Sequence, residues 1–559
     1  MSKMDEIVLV LGVFAAIVAV FTAFGLIERH KYTRLIKGRI HREYGKFRDK
    51  PISAERAECI TAYFRKHKND LSIDDITASD LELDKIFTVM DLTYSSAGEE
   101  LLYHALRTPL FDEEELKRRD EQIRYFDEHQ KEREEMQYFF ACMGKNGRYS
   151  LYDHLDFADT LGDDKTLGMH FIAPLLLVAA IALLFVNTGT GILAIIAAIV
   201  FNMAWYFRTK GKIQPYVVTL KYIMRDIYSG RKAVNMDIPC IKREQEDMKK
   251  ALDELKDFTR GAGVVFKGDS SGGDPMEVIA DYLNMILHTD LICFYRMFRQ
   301  MLVHKEQIDS LHGSLGYIEM IIAVASYKRA LGSVCTPVYD GKEAAKELYH
   351  PMIADPVKNS YELKGNMLLT GSNASGKSTF LKTMALNQLF GQCFYFACAD
   401  EFHTDMHRIY TSMSLRDDLA SAESYFMVEI KAMRRILEAA AAPGAKIACY
   451  VDEVLRGTNT VERIAASTVI LKSMNSKKMF AAAATHDIEL TELLKQYYEN
   501  YHFEEEIKDG DVLFNYKLMQ GKATSRNAIK LLSVMGYDPV LVKDAEDLAQ
   551  KFMKEGAWT

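Results

Sequence analysis

Residues 371–379 read Gly371-Ser372-Asn373-Ala374-Ser375-Gly376-Lys377-Ser378-Thr379, the full pattern G-x-x-x-x-G-K-[ST]. No other stretch restricts the fold so tightly. The glycines let backbone N–H groups close around phosphate, the lysine ammonium reaches the β- and γ-phosphates, and the Ser378 hydroxyl can ligate Mg²⁺. The pattern works only between a strand and a helix. The apolar run Asn366-Met367-Leu368-Leu369-Thr370 supplies the strand, and Phe380-Leu381-Lys382-Thr383-Met384 continues as a helix. The helix N-terminus adds its own affinity for an anion. Residues Gly371 to Thr379 are therefore the expected phosphate cradle of a nucleotide site.

A second strand ends in two acids. Lys446-Ile447-Ala448-Cys449-Tyr450-Val451 runs into Asp452-Glu453. In parallel-sheet nucleotide hydrolases the first acid holds Mg²⁺ and the next can polarise the attacking water. Asp452, with Ser378, is the expected metal residue and Glu453 the expected general base. Lys478-Met479-Phe480-Ala481-Ala482-Ala483-Ala484-Thr485-His486-Asp487 repeats the form, an apolar strand with a polar end. His486 is placed beside the γ-phosphate, where it would sense loss of that group.

The stretch Ile7 to Ile27 carries no charge. At about 1.5 Å per residue it spans roughly 31 Å, a bilayer's hydrocarbon thickness. Acidic Asp5 and Glu6 precede it, and no clear A-x-A cleavage site ends it, so it reads as an uncleaved anchor. Arg29, Lys31, Arg34, Lys37, Arg39, Arg42, Lys46 and Arg48 follow, which places the bulk of the chain in the cytoplasm. The same residues could instead touch anionic lipid or DNA. A second apolar block, Met169 to Val186, breaks at Asn187-Thr188-Gly189-Thr190-Gly191 and resumes from Ile192 to Phe207. That pattern suits a membrane hairpin, with Asn202 hydrogen-bonded to a neighbouring helix. About three spans are expected, in a multi-pass membrane protein whose soluble parts are cytoplasmic.

At 559 residues the chain exceeds one domain, and a net charge of −8 argues against a uniformly basic nucleic-acid binder. The eight cysteines are scattered without a Cys-x-x-Cys pair, so free thiols are expected. Five regions follow: an anchor over 1–30, a helical region over 31–165, the hairpin over 166–210, more helices over 211–334, and an α/β region over 335–559. Glu244 to Phe258 sets Met248, Leu252 and Leu255 at helical spacing, Asp112 opens a capped helix, and Gly261 to Pro275 reads as a loop.

Taken together, the phosphate loop, Asp452-Glu453-Val454-Leu455-Arg456-Gly457-Thr458-Asn459-Thr460 and Ala484-Thr485-His486 closely resemble the MutS ATPase family, part of the wider ATP-binding-cassette class. Ser421-Ala422-Glu423-Ser424-Tyr425-Phe426-Met427-Val428-Glu429 looks like that family's helix-opening segment, whose serine reaches the nucleotide of the opposite subunit; Ser424 is the candidate. His350-Pro351-Met352-Ile353 and Val357-Lys358-Asn359 resemble the entry to the same domain, and Gly521-Lys522-Ala523 with Arg526-Asn527-Ala528 its end. Leu92 to Leu102, Thr108-Pro109-Leu110 and Arg119 to Ile123 more weakly resemble the start of the helical core, or lever, domain, with 290–330 as its end.

The resemblance implies a P-loop α/β ATPase domain of the MutS type joined to an all-α core and lever domain. It implies ATP and Mg²⁺ as ligands, a homodimer with composite sites, catalytic roles for Lys377, Glu453, His486 and Ser424, and DNA as a partner. The departures are equally specific. Phe111-Asp112-Glu113 and Phe126-Asp127-Glu128 match the family's Phe-x-Glu wedge in spelling, but both lie inside the core-like helices. The expectation is a membrane-anchored member without the mismatch-recognition domain. Two alternatives remain: a membrane ATPase with a protein or lipid client, and a transporter-type cassette component, the latter without a Leu-Ser-Gly-Gly-Gln segment.

Overall fold

The computed structural model describes residues 23–24, 27–48, 51–147, 150–157, 164–259, 282–372, 375–413, 425–444, 446–456, 458–476, 478–508, 511–523, 529, 532 and 535–555. The chain divides into two compact units. One holds residues 1–67, 89–104 and 121–330; the other holds 68–88, 105–120 and 331–559. The segments 68–88 and 105–120, which the sequence places with the helical region, are thus grouped with the α/β part.

The first unit is helical. Helices α1 (Ile172–Leu184) and α2 (Thr188–Ala233) form the hairpin. Asn187 caps α2, its side-chain oxygen accepting from the Thr190 amide at 3.1 Å. Two stretches, Leu167–Leu184 and Thr188–Gln214, are long and apolar enough to cross a membrane. Leu175, Leu193, Ile196 and Val200 stand exposed along them. Asn202 donates to the carbonyls of Ala173 at 3.0 Å and Ile286 at 2.9 Å, the inter-helix bond its position suggested. Most of Ile7–Ile27, the anchor expected from sequence, lies outside the described residues, as does the whole Gly261–Pro275 stretch. Past the hairpin, Lys242–Glu254 is helical and turns into a 3₁₀ segment, with Met248, Leu252 and Leu255 buried as their spacing requires. The core of the unit is α3 (Lys305–Leu331), where every residue from Ile318 to Tyr327 is buried.

The second unit contains two sheets rather than one. Strands β1 (Val338–Tyr339), β2 (Glu343–Leu348), β3 (Asn359–Leu363) and β5 (Glu401–Thr404) form a mixed sheet in the order β1-β5-β2-β3. Strands β4 (Asn366–Thr370), β6 (Arg408–Ser412), β7 (Ile447–Asp452), β8 (Met479–Thr485), β9 (Tyr498–Lys508) and β10 (Asp511–Gln520) form the other, in the order β10-β9-β4-β8-β7-β6. All neighbours in the latter are parallel except the β9–β10 hairpin at one edge. Every residue of β4, β7 and β8 is buried. Strands covered on both faces need continuous apolar runs, which is what these sequences carry. Helices α4 (Lys377–Phe394), α5 (Tyr425–Ala441) and α6 (Thr460–Ser473) connect and cover the sheet. All eight cysteines are free thiols.

Candidate functional site

Register places the site. Leu369 of β4 lies opposite Ala484 of β8, and Ala484 lies opposite Asp452 of β7. The carboxyl ends of three adjacent parallel strands therefore finish level, in the crevice where open α/β sheets bind ligands. The loop after β4, the acids after β7 and His486 after β8 all leave from that edge.

The loop is shaped by its glycines. Gly371 has φ 146° and Gly376 has φ 102°, conformations open to glycine and strained for other residues. A Cβ on Gly376 would stand 3.1 Å from the Tyr516 ring. Gly376 caps α4 without any side-chain acceptor, leaving the helix's first amides for a ligand. Lys377 is buried, and its Nζ donates to the carbonyls of Gly371 and Ser372, each at 2.7 Å. The ammonium is thus folded back over the loop it would share with phosphate. Burial lowers its pKa, against the opposing fields of Glu453 and Asp452.

Across the crevice, Ser378 Oγ donates to Asp452 Oδ2 at 2.5 Å. Arg456 reaches back to both acids, 3.1 Å from Asp452 Oδ2 and 2.9 Å from Glu453 Oε2. Glu453 adopts φ 63° and Leu455 φ 59°, a strained turn for residues with side chains. The Glu453 amide donates to the Ala484 carbonyl at 2.9 Å, and its carboxylate meets His486 Nδ1 at 2.9 Å. Burial would raise the Glu453 pKa, but the His486 hydrogen bond and the charges of Arg456 and Lys377 hold it below the usual carboxylate value. The same hydrogen bond raises His486. Asp487 takes both arms of Arg463, at 2.9 and 2.7 Å.

These groups line a cleft of about 450 Å³ that includes Ser372, Lys377, Ser378, Asp452, Glu453 and Arg456. An adjoining, more apolar cavity of about 330 Å³ shares Gly376, Thr379 and Tyr516 with it. His350, Ile353, Val357, Phe380 and Phe503 line that second cavity, a shape and chemistry suited to a flat heterocycle. Burial, with the charge of Lys382, lowers His350 to about 4, so it faces the cavity as neutral imidazole.

Of the residues expected from sequence, Gly371, Ser372, Ser375, Gly376, Lys377, Ser378, Thr379, Asp452, Glu453 and His486 come together around this edge. Asn373, Ala374 and Ser424 lie outside the described residues. Three participants were not foreseen. Arg456 carried a signal, since spacings of three and four from the acid pair bring it back over the turn. Glu505, which accepts from Ser372 Oγ at 2.9 Å, and Tyr516, set at φ 52° where the β9–β10 register shifts, carried none.

Residues 367–553 match the family model of MutS domain V. The chain is 28% identical over 291 residues to MutS protein homolog 4 of Homo sapiens, an alignment covering 49% of this chain and 31% of that protein. It is 31% identical over 215 residues to the DNA mismatch repair protein MutS of Thermus aquaticus, covering 37% of this chain and 26% of that protein. The chain thus spans about a quarter to a third of the length of the relatives it matches. The domain match and these relatives support a place in the MutS family.

Proposed function

We propose that this chain is a membrane-anchored MutS-type ATPase that binds ATP with Mg²⁺ in the cleft between the phosphate loop and the Asp452–Glu453 turn. One observation carries the reading: Ser378 and Asp452, far apart in sequence, meet at 2.5 Å beside the buried Lys377 ammonium. Hydroxyl and carboxylate oxygens are the donors a hard cation takes, so the residues fit the metal. Ser378 and Asp452 would hold it, and when bound it would neutralise charge on the phosphates.

The chain's own groups account for the remaining steps. Lys377 exchanges the two loop carbonyls for phosphate oxygens, and the first amides of α4 orient the chain of phosphates. Glu453, ionised and aimed by His486, holds the attacking water and takes its proton. Arg456 keeps the two acids apart and in place. Positioning and fixed charge supply most of the acceleration in such chemistry. Two copies would close on the nucleotide, each lending Ser424 to the other, and hydrolysis would release them and move the helical unit. DNA is the favoured client, because the Thermus aquaticus relative is by name a DNA mismatch repair protein. The apolar faces of α1 and α2 favour anchoring in a bilayer.

The test is ATP hydrolysis by the full chain in phospholipid nanodiscs, with and without Mg²⁺ and with duplex, branched or single-stranded DNA. Mg²⁺-dependent turnover stimulated by one of these DNAs is expected. Turnover indifferent to all three would remove DNA as client, and no turnover in the parent chain would remove the ATPase reading.

A further inference from the structure

Another cavity, lined by charged and aromatic side chains, lies in the helical unit. It measures about 430 Å³ and is lined where the helix of residues 27–43 ends and meets the segment 91–94 and Lys145. Four basic side chains line it, Arg39, Lys46, Arg48 and Lys145, against two acidic ones, Glu43 and Asp91.

The cations outnumber the acids on the lining, and one of the acids lies deeper than its partners. Asp91 is fully buried, with 0% of its side chain exposed, whereas Arg48 and Lys145 keep 24% and 28% exposed. The two cations rest on Asp91, Lys145 at 3.2 Å, and Lys145 also reaches Glu99 at 3.0 Å. Asp91's other oxygen is taken by Thr93, through both its amide and its hydroxyl. Glu43 is shared between Arg39 at 2.8 Å and the Tyr94 hydroxyl at 3.1 Å. Lys46 makes no ion pair among the described residues. Asp91 therefore sits behind its two cations, while Glu43, 36% exposed, has its two oxygens engaged by Arg39 and Tyr94, which leaves Lys46 over for a ligand. Burial lowers the pKa of both Arg48 and Lys145; the Glu99 charge opposes this at each, while Arg39 and Arg56 add repulsion at Arg48, and Arg48 adds it at Lys145. Cations crowded in this way gain from an added oxyanion.

From this arrangement we infer that the cavity binds a phosphorylated small molecule, either free or as the headgroup of a lipid. Arginine and lysine donors suit the oxygens of a phosphate group. Phe47, with 47% of its surface exposed, and Tyr94 give the remainder of such a molecule an apolar wall. The space is nearly that of the nucleotide cleft, so more than a bare phosphate fits. None of the cavity's lining residues belongs to the nucleotide cleft.

The experiment is site-resolved lysine acetylation of the full chain, read by mass spectrometry at Lys46 and Lys145, with Lys377 as a separate reporter of the nucleotide cleft. The probes are inorganic pyrophosphate, nanodiscs of phosphatidylglycerol or phosphatidylcholine, and duplex DNA, all at matched ionic strength. Pyrophosphate near twice its Kd should slow labelling at Lys46 and Lys145 about threefold, and Lys46→Glu should abolish the effect at Lys145. Protection by pyrophosphate alone assigns a free phosphorylated ligand. Protection by phosphatidylglycerol and not phosphatidylcholine assigns a headgroup. Labelling unchanged by both pyrophosphate and phosphatidylglycerol, protection by DNA only, or protection that survives Lys46→Glu would each overturn the proposal. Protection of Lys377 by ATP is scored separately, so failure of either site leaves the other readable.

Discussion

His486 Nδ1 stands 2.9 Å from Glu453 Oε1, joining residues 33 apart in sequence at the ends of two adjacent strands. The contact follows from the parallel register of β7 and β8, in which Asp452 faces Ala484. It orients the carboxylate, keeps it ionised, and leaves the imidazole partly exposed at the rim of the cleft.

Glu453→Gln should therefore separate binding from hydrolysis. The amide keeps the shape and can still accept from the imidazole, but it cannot take a proton. Single-turnover phosphate release should fall by about 10²- to 10⁴-fold, the usual contribution of a general base. Nucleotide retention on a filter should be preserved. Release at the parent's rate would move the role to another group.

Lys377→Met removes the buried ammonium and keeps the length of its stem. Hydrogen bonds to a charged group contribute about 1.5–3 kcal/mol, so ATP affinity should fall roughly tenfold to a hundredfold. Titration with a fluorescent nucleotide measures this directly. Equal affinity in the two proteins would contradict the assigned cradle.

Much of this site was legible in the chain because its parts are local. The phosphate loop, the acid pair and His486 each follow an uninterrupted apolar strand, and buried parallel strands announce themselves in that way. The hairpin turn at Asn187 and the inward-facing Asn202 were legible for the same reason. The division of the α/β part into two sheets was not. Strand β3 alternates buried and exposed residues but β2 does not, and the pairing of β2 with β5, as in Ala344 with His403, joins segments distant in sequence, which no local pattern encodes. Asn359 shows the limit well. Its side chain accepts from the Leu518 amide at 2.8 Å and donates to the Tyr516 carbonyl at 3.0 Å, fixing the irregular turn of β10 over Gly376. Nothing near residue 359 in sequence signals a partner at 516.

Gly376→Ala tests that lid. The new methyl group meets Tyr516 at 3.1 Å, and the residue is held at φ 102°. A strained backbone position costs on the order of 1–3 kcal/mol, so thermal stability should drop and ATP affinity with it. Adding Tyr516→Ala removes the contact and leaves the dihedral. Partial recovery in the double variant apportions the loss between the two causes. A single variant with parental melting temperature and affinity would show the loop to be free of this constraint.

The helical unit offers a pH test. His312 is fully buried, its Nδ1 2.8 Å from Asp226 and its Nε2 3.4 Å from Glu100, within a shell of Tyr63, Tyr152 and Tyr222. Burial alone would lower its pKa; the two carboxyl groups outweigh that and raise it to about 10. The folded value exceeds the unfolded one of about 6.5. The stabilisation is therefore complete below that pH and disappears as pH rises through about 10. Parent protein in detergent should lose resistance to urea between pH 7 and pH 10. His312→Leu removes one partner of a buried ionic cluster and should cost about 3–5 kcal/mol at pH 7. Its deficit should shrink toward pH 10, where the parent's imidazole itself loses its proton, and again in acid, where burial has already raised the pKa of both Asp226 and Glu100. Two stability curves that run parallel across this range would show that His312 carries no charge in the fold.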